Sequence, residues 1–175
     1  RALAIMTSLK FRLATEADLP QVMTIVEEAR QFLHERGIPQ WQNGYPDQTV
    51  FRSDIAQQAL YVGILNQKVV VMMTLLAGPD PNYQKIAGAW QQLDDNYLVM
   101  HRIAVARQAA GQGIAEAAFE FAIKQAQQAK KVSFRIDTHE KNQGTRHLAT
   151  KFDFTQCGTV WMADGSPRLA FELVF

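Results

Sequence analysis

Gln108-Ala109-Ala110-Gly111-Gln112-Gly113 sets two glycines one residue apart, directly ahead of a run of helix formers that begins Ile114-Ala115-Glu116. Small residues at a strand-to-helix junction let backbone N–H groups converge on an anion, and the positive end of the helix dipole adds to their pull. Such a nest holds a phosphate without a nearby lysine. The same glycines also serve a plain turn. A triphosphate-binding loop needs Gly-Lys-Ser/Thr at its end, and Gly113 is followed by Ile114 and Ala115, which closes that option. A dinucleotide fingerprint needs three glycines. Glu116 stands in the third place, although Asp137 lies about 20 residues further on, where that fingerprint wants an acid.

Other reactive side chains are sparse. Cys157, the one cysteine, falls on a predicted strand with no base beside it, which favours a small buried apolar role over an acyl-enzyme nucleophile. A single cysteine forms no intramolecular disulfide and suits a reducing cytoplasm, and the same count argues against a thiolate metal site. In Ile38 to Pro46, IPQWQNGYP, Trp41 and Tyr45 stand beside Gln40, Gln42 and Asn43. That mixture suits the wall of a small-molecule pocket; aromatic loop residues also serve to pin a loop to the core.

The elements that must position these residues follow from periodicity. The 175 residues, 47% of them hydrophobic, suit one domain over 6–175. Residues 1–5, RALAI, read as a remnant ahead of a natural start at Met6. Eighteen Lys+Arg against 17 Asp+Glu leave a net charge of +1, no footprint for nucleic acid or an anionic membrane. The longest apolar run, Val69 to Ala77, is far below the ~20 residues of a membrane helix.

Lys10 to Leu13 reads as a strand. Thr15 with Asp18 then opens a helix over 16–35 with a capping-box signature, and Pro20 is tolerable in its first turn. A second helix covers 48–58. Strands 60–65 and 69–77 form a hairpin about Asn66-Gln67-Lys68. Residues 78–96 read as a polar loop or partly ordered excursion. A strand over Tyr97 to Val105, a helix over 113–129, a strand over Val132 to Thr138 and a short helix over 143–152 follow. A terminal hairpin, 154–162 and 169–175, closes the order. The apolar final strand, Leu169 to Phe175, could join a partner's sheet and make a homodimer.

Val105, then Gln108-x-x-Gly111-x-Gly113-Ile114-Ala115, a long helix, a strand ending Ile136-Asp137, Asn142, and a helix running out through Lys151-Phe152-Asp153-Phe154 together resemble the GNAT superfamily of acyl-CoA N-acyltransferases. The resemblance covers about the whole chain, including the opening unit from Arg12 to Leu19. It implies an α/β fold: a GNAT-like mixed, largely antiparallel central sheet of about seven strands with about four flanking helices. It implies acetyl-CoA as cosubstrate, no metal, and a small-molecule or peptide amine as acceptor. By the same resemblance, backbone groups of Ile103 and Val105 pair with the pantetheine arm. Gln108, Ala109, Ala110, Gly111, Gln112, Gly113, Ile114 and Ala115 hold the pyrophosphate, Asn142 contacts the cofactor, and the strands 97–105 and 132–138 splay to admit it.

Family members often place a proton-donating tyrosine seven residues after the asparagine; Ala149 stands there, and a thiol with a pKa near 8.5 leaves tolerably without it. Asp153 replaces the usual glycine at the helix exit, which predicts a slightly strained turn. An amine acceptor, with a pKa near 10.4, must lose a proton before attack. His101 is the first choice of base: strand alternation sets it on the side of Ile103 and Val105, opposite Arg102 and Ala104. A hydrogen-bonded structural histidine is the alternative. His139 and Glu140 read as loop residues, and Tyr97, Asp94 and Asp95 as groups able to read a cation. Arg102, Arg107, Lys141, Arg146 and Lys151 surround the motif and either neutralise CoA phosphates or face solvent. The leading reading is acetyl transfer to an amine by direct attack in a ternary complex. The alternatives are a non-catalytic acyl-CoA-binding or sensing domain, motivated by Ala149 and by the lack of a glutamate on 97–105, and a nucleotide-dependent oxidoreductase.

Overall fold

The computed structural model describes residues 8–175, so the expected remnant and the start at Met6 lie outside it. Eight strands form one sheet: β1 (Lys10–Leu13), β2 (Leu60–Leu65), β3 (Lys68–Ala77), β4 (Ala87–Gly88), β5 (Tyr97–Val105), β6 (Ser133–Thr138), β7 (Thr155–Trp161) and β8 (Pro167–Val174). Four α-helices accompany them among the described residues: α1 (Leu19–Glu35), α2 (Gln48–Ala56), α3 (Ile114–Gln128) and α4 (Gln143–Lys151). The strand order is β1-β2-β3-β5-β6-β8-β7-β4, with β5–β6 parallel and the terminal hairpins antiparallel. The mixed α/β class and the helix count agree with the sequence. The sheet has one strand more than the expected seven, because β4 lies in the segment read as loop.

The chain divides into two compact units, and β3 and β5 each run from one into the other. One unit takes the chain to Leu75 and resumes over Arg102–Phe121. Its β2–β3 hairpin turns at Asn66 and Gln67, both left-handed (φ +50° and +66°), as a two-residue I′ turn requires. The apolar stripe of α1 buries Leu19, Val22, Ile25, Val26 and Leu33. Its entry is fixed by Asp18, whose carboxylate accepts the Thr15 N–H at 2.8 Å and a forked pair from Arg12 at 2.7 and 2.8 Å. The Arg12 fork holds the Asp18 carboxyl below its ordinary range. Asp47 caps α2 by accepting the Val50 N–H at 3.0 Å.

The other unit holds Leu76–His101 and Ala122–Phe175. Here β8 pairs with β6 over Leu169–Val174 and with β7 over Pro167–Glu172, so the final strand is an inner strand of the sheet and not the free edge that joining a partner's sheet requires. The excursion 78–96 is pinned rather than loose. The Gly78 N–H donates to the Tyr97 carbonyl at 2.8 Å and the Asp80 N–H to the Tyr97 hydroxyl at 2.7 Å. A Cβ at Gly78 would lie 2.6 Å from the Tyr97 ring, so only glycine permits this approach. Further on, the Gln91 and Gln92 N–H groups donate to fully buried Glu172 at 2.7 and 3.1 Å. Arg135 Nε also donates to Glu172, at 2.8 Å, and its guanidinium lies 4.2 Å from the Trp90 ring centre and 3.9 Å from that of Tyr97. At β4, Gly88 and Gly158 face each other so closely that a Cβ would lie 2.2 Å from the Cys157 carbonyl at one and 2.1 Å from the Ala87 carbonyl at the other.

Candidate functional site

Strand β5 carries Tyr97, His101, Arg102, Ile103 and Val105 of the residues singled out by sequence. Its ladder with β6 runs from Tyr97↔Ser133 to Val99↔Arg135, although β5 continues to Val105 and β6 to Thr138. Arg102 is left-handed, with φ +54°. A left-handed residue within a strand interrupts the pleat, so the alternation expected to align His101 with Ile103 and Val105 does not carry across Arg102. The exposure pattern follows: Tyr97 to Met100 are all buried, and His101 to Ile103 are all partly exposed.

Beyond β5 the chain makes a 3-10 turn, Arg107–Ala109, and enters α3 through the two glycines. Gly111 and Gly113 are both left-handed, at φ +76° and +77°, and a Cβ at either would meet nothing within 4 Å. The backbone conformation, not crowding, therefore selects glycine, and the space above both is open. The Gln112 side-chain amide donates back to the Gln108 carbonyl at 3.4 Å, and the Ala117 N–H donates to the Gly113 carbonyl at 3.1 Å as α3 begins. The N–H groups of residues 114–116 form the helix's first turn, which has no intrahelical acceptors. Ala109 and Ile114 turn their side chains into the core, so they can offer only backbone to a ligand, whereas Gln108, Ala110, Gly111 and Gly113 are exposed. Arg107 anchors the loop to α1: its N–H donates to Glu28 at 3.0 Å and its guanidinium to Gln31 at 3.0 Å. An open groove of about 660 Å³ runs beside these contacts, lined among others by Met23, Glu27, Glu28, Gln31, His34 and Arg107.

His101 has two carboxylate neighbours. Its Nε2 lies 2.7 Å from Asp80 Oδ2 and its Nδ1 4.0 Å from Asp137 Oδ2. Asp137 accepts the Tyr83 hydroxyl at 2.6 Å. Burial, and then the charge of Asp137, pushes the Tyr83 phenol well above its usual range, so it stays a donor. Asp137 is thus engaged within the protein, which counts against its serving a ribose as the dinucleotide reading requires. Asp80 and Tyr83 escaped the sequence reading. A signal existed, because Asp-Pro is a helix-start signature, and Asp80 does cap the Pro81–Tyr83 turn through the Asn82 N–H at 2.9 Å.

Arg102 does not face solvent as expected of the surrounding basic residues. Its guanidinium forks onto buried Asp54 at 2.8 and 2.8 Å, and Nη1 donates to the Tyr45 hydroxyl at 2.7 Å. The Thr74 hydroxyl donates to Asp54 at 2.8 Å. The loop 38–46 is further tied down by Arg30, which donates to the carbonyls of Trp41 and Pro46. The Gln42 amide is spent on the carbonyls of Arg30 and Gln40, which leaves half-exposed Tyr45 as the loop's outward aromatic.

Asn142 caps α4, its side chain accepting the Thr145 N–H at 3.3 Å. Ala149 is fully buried. Asp153 takes φ +64°, and the chain leaves α4 through paired bonds, the Phe154 N–H to the Ala149 carbonyl and the Asp153 N–H to the Thr150 carbonyl. Burial raises the Cys157 thiol, which disfavours a nucleophilic thiolate, and burial, then Arg168, lowers His139. Arg146 donates to the Glu140 carbonyl at 2.9 Å. Among the described residues, no group of three or more His, Cys, Asp or Glu could hold a metal, and no helix is long and apolar enough to cross a membrane.

Residues 25–154 match the Acetyltransferase (GNAT) family. A GNAT-family acetyltransferase from Streptococcus agalactiae is 32% identical over 95% of both chains, with a TM-score of 0.88. A GNAT-family acetyltransferase from Listeria monocytogenes shares the fold at 18% identity over 95% of both chains, with a TM-score of 0.74. The NatC complex bound to Gag peptide and CoA contains a chain that is 13% identical, covering 96% of this chain and 99% of that one, with a TM-score of 0.69. No curated protein matches.

Proposed function

Because the chain belongs to the GNAT acetyltransferase family, we propose that it transfers an acetyl group from acetyl-CoA to an amine by direct attack in a ternary complex. The observation that carries this reading is the loop 108–115: two left-handed glycines under open space, at the mouth of a fifteen-residue helix. The pyrophosphate is the right ligand for such a nest, since convergent N–H groups and a helix dipole need no lysine. Gln108, Ala110, Gly111, Gln112 and Gly113 hold it with backbone and amide groups, and Ala109, Ile114 and Ala115 contribute backbone alone. Ile103 and Val105, just past Arg102, offer strand backbone to the pantetheine arm. Asn142, already the cap of α4, contacts the cofactor in this reading. The NatC structure has CoA bound in a complex that contains this fold.

The acceptor is a small-molecule or peptide amine, and His101 is the base that frees its lone pair. The nitrogen attacks the thioester carbon, the C–S bond breaks, and CoA leaves as a thiolate or thiol without a tyrosine at position 149. The single domain over 6–175, a cytoplasmic setting and a homodimer belong to this reading; the dimer needs a surface other than β8.

Acetyl-CoA at 100 times its Kd should stabilise the wild-type protein by about 2.7 kcal/mol, read as a rise in Tm. Gly111→Pro, which cannot adopt a positive φ, and Gly113→Glu, which adds a charge against the pyrophosphate, should abolish the shift. Absence of acyl-CoA binding to the wild type by calorimetry would sink the proposal.

A further inference from the structure

The His101 ring is held by a residue outside any regular element. Asp80 follows the cramped Gly78–Tyr97 contact, its N–H is fixed by the Tyr97 hydroxyl at 2.7 Å, and its Oδ1 caps the next turn through the Asn82 N–H at 2.9 Å. The other oxygen, Oδ2, lies 2.7 Å from His101 Nε2. Both the backbone and the carboxylate of Asp80 are therefore over-determined, with the second oxygen aimed at the imidazole. A carboxylate only accepts, so Nε2 must carry the proton. The opposite nitrogen, Nδ1, is 4.0 Å from Asp137, beyond hydrogen-bond distance, and the Asp137 oxygen nearest it already takes the Tyr83 hydroxyl. The His101 side chain is 19% exposed, enough to be reached.

We propose that Asp80 is the positioning residue for His101: it fixes the Nε2–H tautomer and leaves Nδ1 as the nitrogen that takes the acceptor's proton. This rests on the acetyl-transfer reading above. The acceptor ammonium gives one proton to Nδ1, and its freed lone pair forms the C–N bond as the C–S bond breaks. The proton that nitrogen then loses ends on the departing sulfur, and His101 returns its own to water. Atoms and charge balance with no further reactant. The excursion 78–96 thereby supplies a working part of the site, which places Asp80 beside His101 in function although 21 residues separate them.

Asp80→Asn separates this role from a structural one. The amide oxygen keeps the cap on Asn82, while the amide NH2 takes the place of Oδ2 and donates to Nε2. That reverses the tautomer and puts the proton on Nδ1. Expected are a change in the 15N chemical shifts of His101 from the Nε2–H to the Nδ1–H form, a fall in kcat of roughly 100-fold or more, and a KM for acetyl-CoA and a Tm close to wild type. If that variant does not fold, Asp80→Ser keeps a capping oxygen and removes the carboxylate, and the same fall in kcat is expected. Unchanged kcat in either folded variant, or a wild-type ring protonated on Nδ1 alone, overturns the inference and leaves acetyl transfer standing. Wild-type protein that binds acetyl-CoA but releases no thiol with any amine overturns the acetyl-transfer reading, and the role of Nδ1 falls with it.

Discussion

Each unit of the molecule holds an arginine against a buried carboxylate, and two of these pairs, Arg135–Glu172 and Arg102–Asp54, are built differently. Arg135 and Glu172 are sealed, with side chains 4% and 0% exposed. The carboxylate takes the guanidinium, the Ser133 hydroxyl at 2.7 Å and two backbone N–H groups of the excursion, and two aromatic rings flank the cation. Arg102 and Asp54 are 12% and 4% exposed, the arginine stands on a left-handed residue, and the network ends on a half-exposed tyrosine hydroxyl. A sealed pair with every lone pair answered acts as a clamp, since losing one partner strands a charge that water cannot reach. A pair that opens onto a phenol at the surface holds its arginine while leaving the tyrosine end accessible to solvent or a ligand. Full burial seals the first pair; partial burial, a left-handed arginine and a surface outlet set the second apart.

The contrast can be broken at its strongest point. Glu172→Gln keeps the shape and removes the charge, so Arg135 is left buried and uncompensated; a loss of about 3–5 kcal/mol is expected. For a chain of this size that is on the order of 10 °C in Tm, measured by calorimetry. Asp54→Asn should cost less, about 1–3 kcal/mol, because Arg102 retains Tyr45 and is nearer to water; equal losses in the two variants would erase the distinction. Smallest, Tyr45→Phe removes one hydrogen bond at a half-exposed site and should lower stability by about 0.5–1 kcal/mol in urea unfolding. If the Arg102 network serves the acceptor, the same change moves the amine KM and leaves the acetyl-CoA KM alone.

Much of the frame was readable in the residues. Among the described residues, periodicity located the four α-helices and seven of the eight strands, because each of these elements repeats its own local rule. The Asn66-Gln67 turn, the Thr15/Asp18 capping and the strained exit at Asp153 were legible for the same reason. The loop 108–113 was legible because its requirement, a positive φ, is written in the glycines themselves. What stayed hidden is long-range or local against type. Arg102 joins Asp54 across 48 residues, Tyr83 joins Asp137 across 54 and Gln91 joins Glu172 across 81, and no window of sequence pairs such groups. Nothing about an arginine announces a left-handed backbone, so the break in alternation at Arg102 could not be foreseen. The excursion 78–96 looked loose because its composition is polar, and it is ordered by partners on β5, β6 and β8.

At β4 the facing glycines, Gly88 and Gly158, leave no room for a side chain on either backbone. Their identities are consequently one choice made twice. A related sequence that puts any other residue at 158 loses the two-residue ladder whatever stands at 88, and with it one anchor of the excursion that carries Asp80. Drift in the length or composition of that excursion should therefore track the residue at 158, on a strand some 70 positions downstream. In an alignment of relatives these two columns would vary together, ahead of any change in the glycine loop itself.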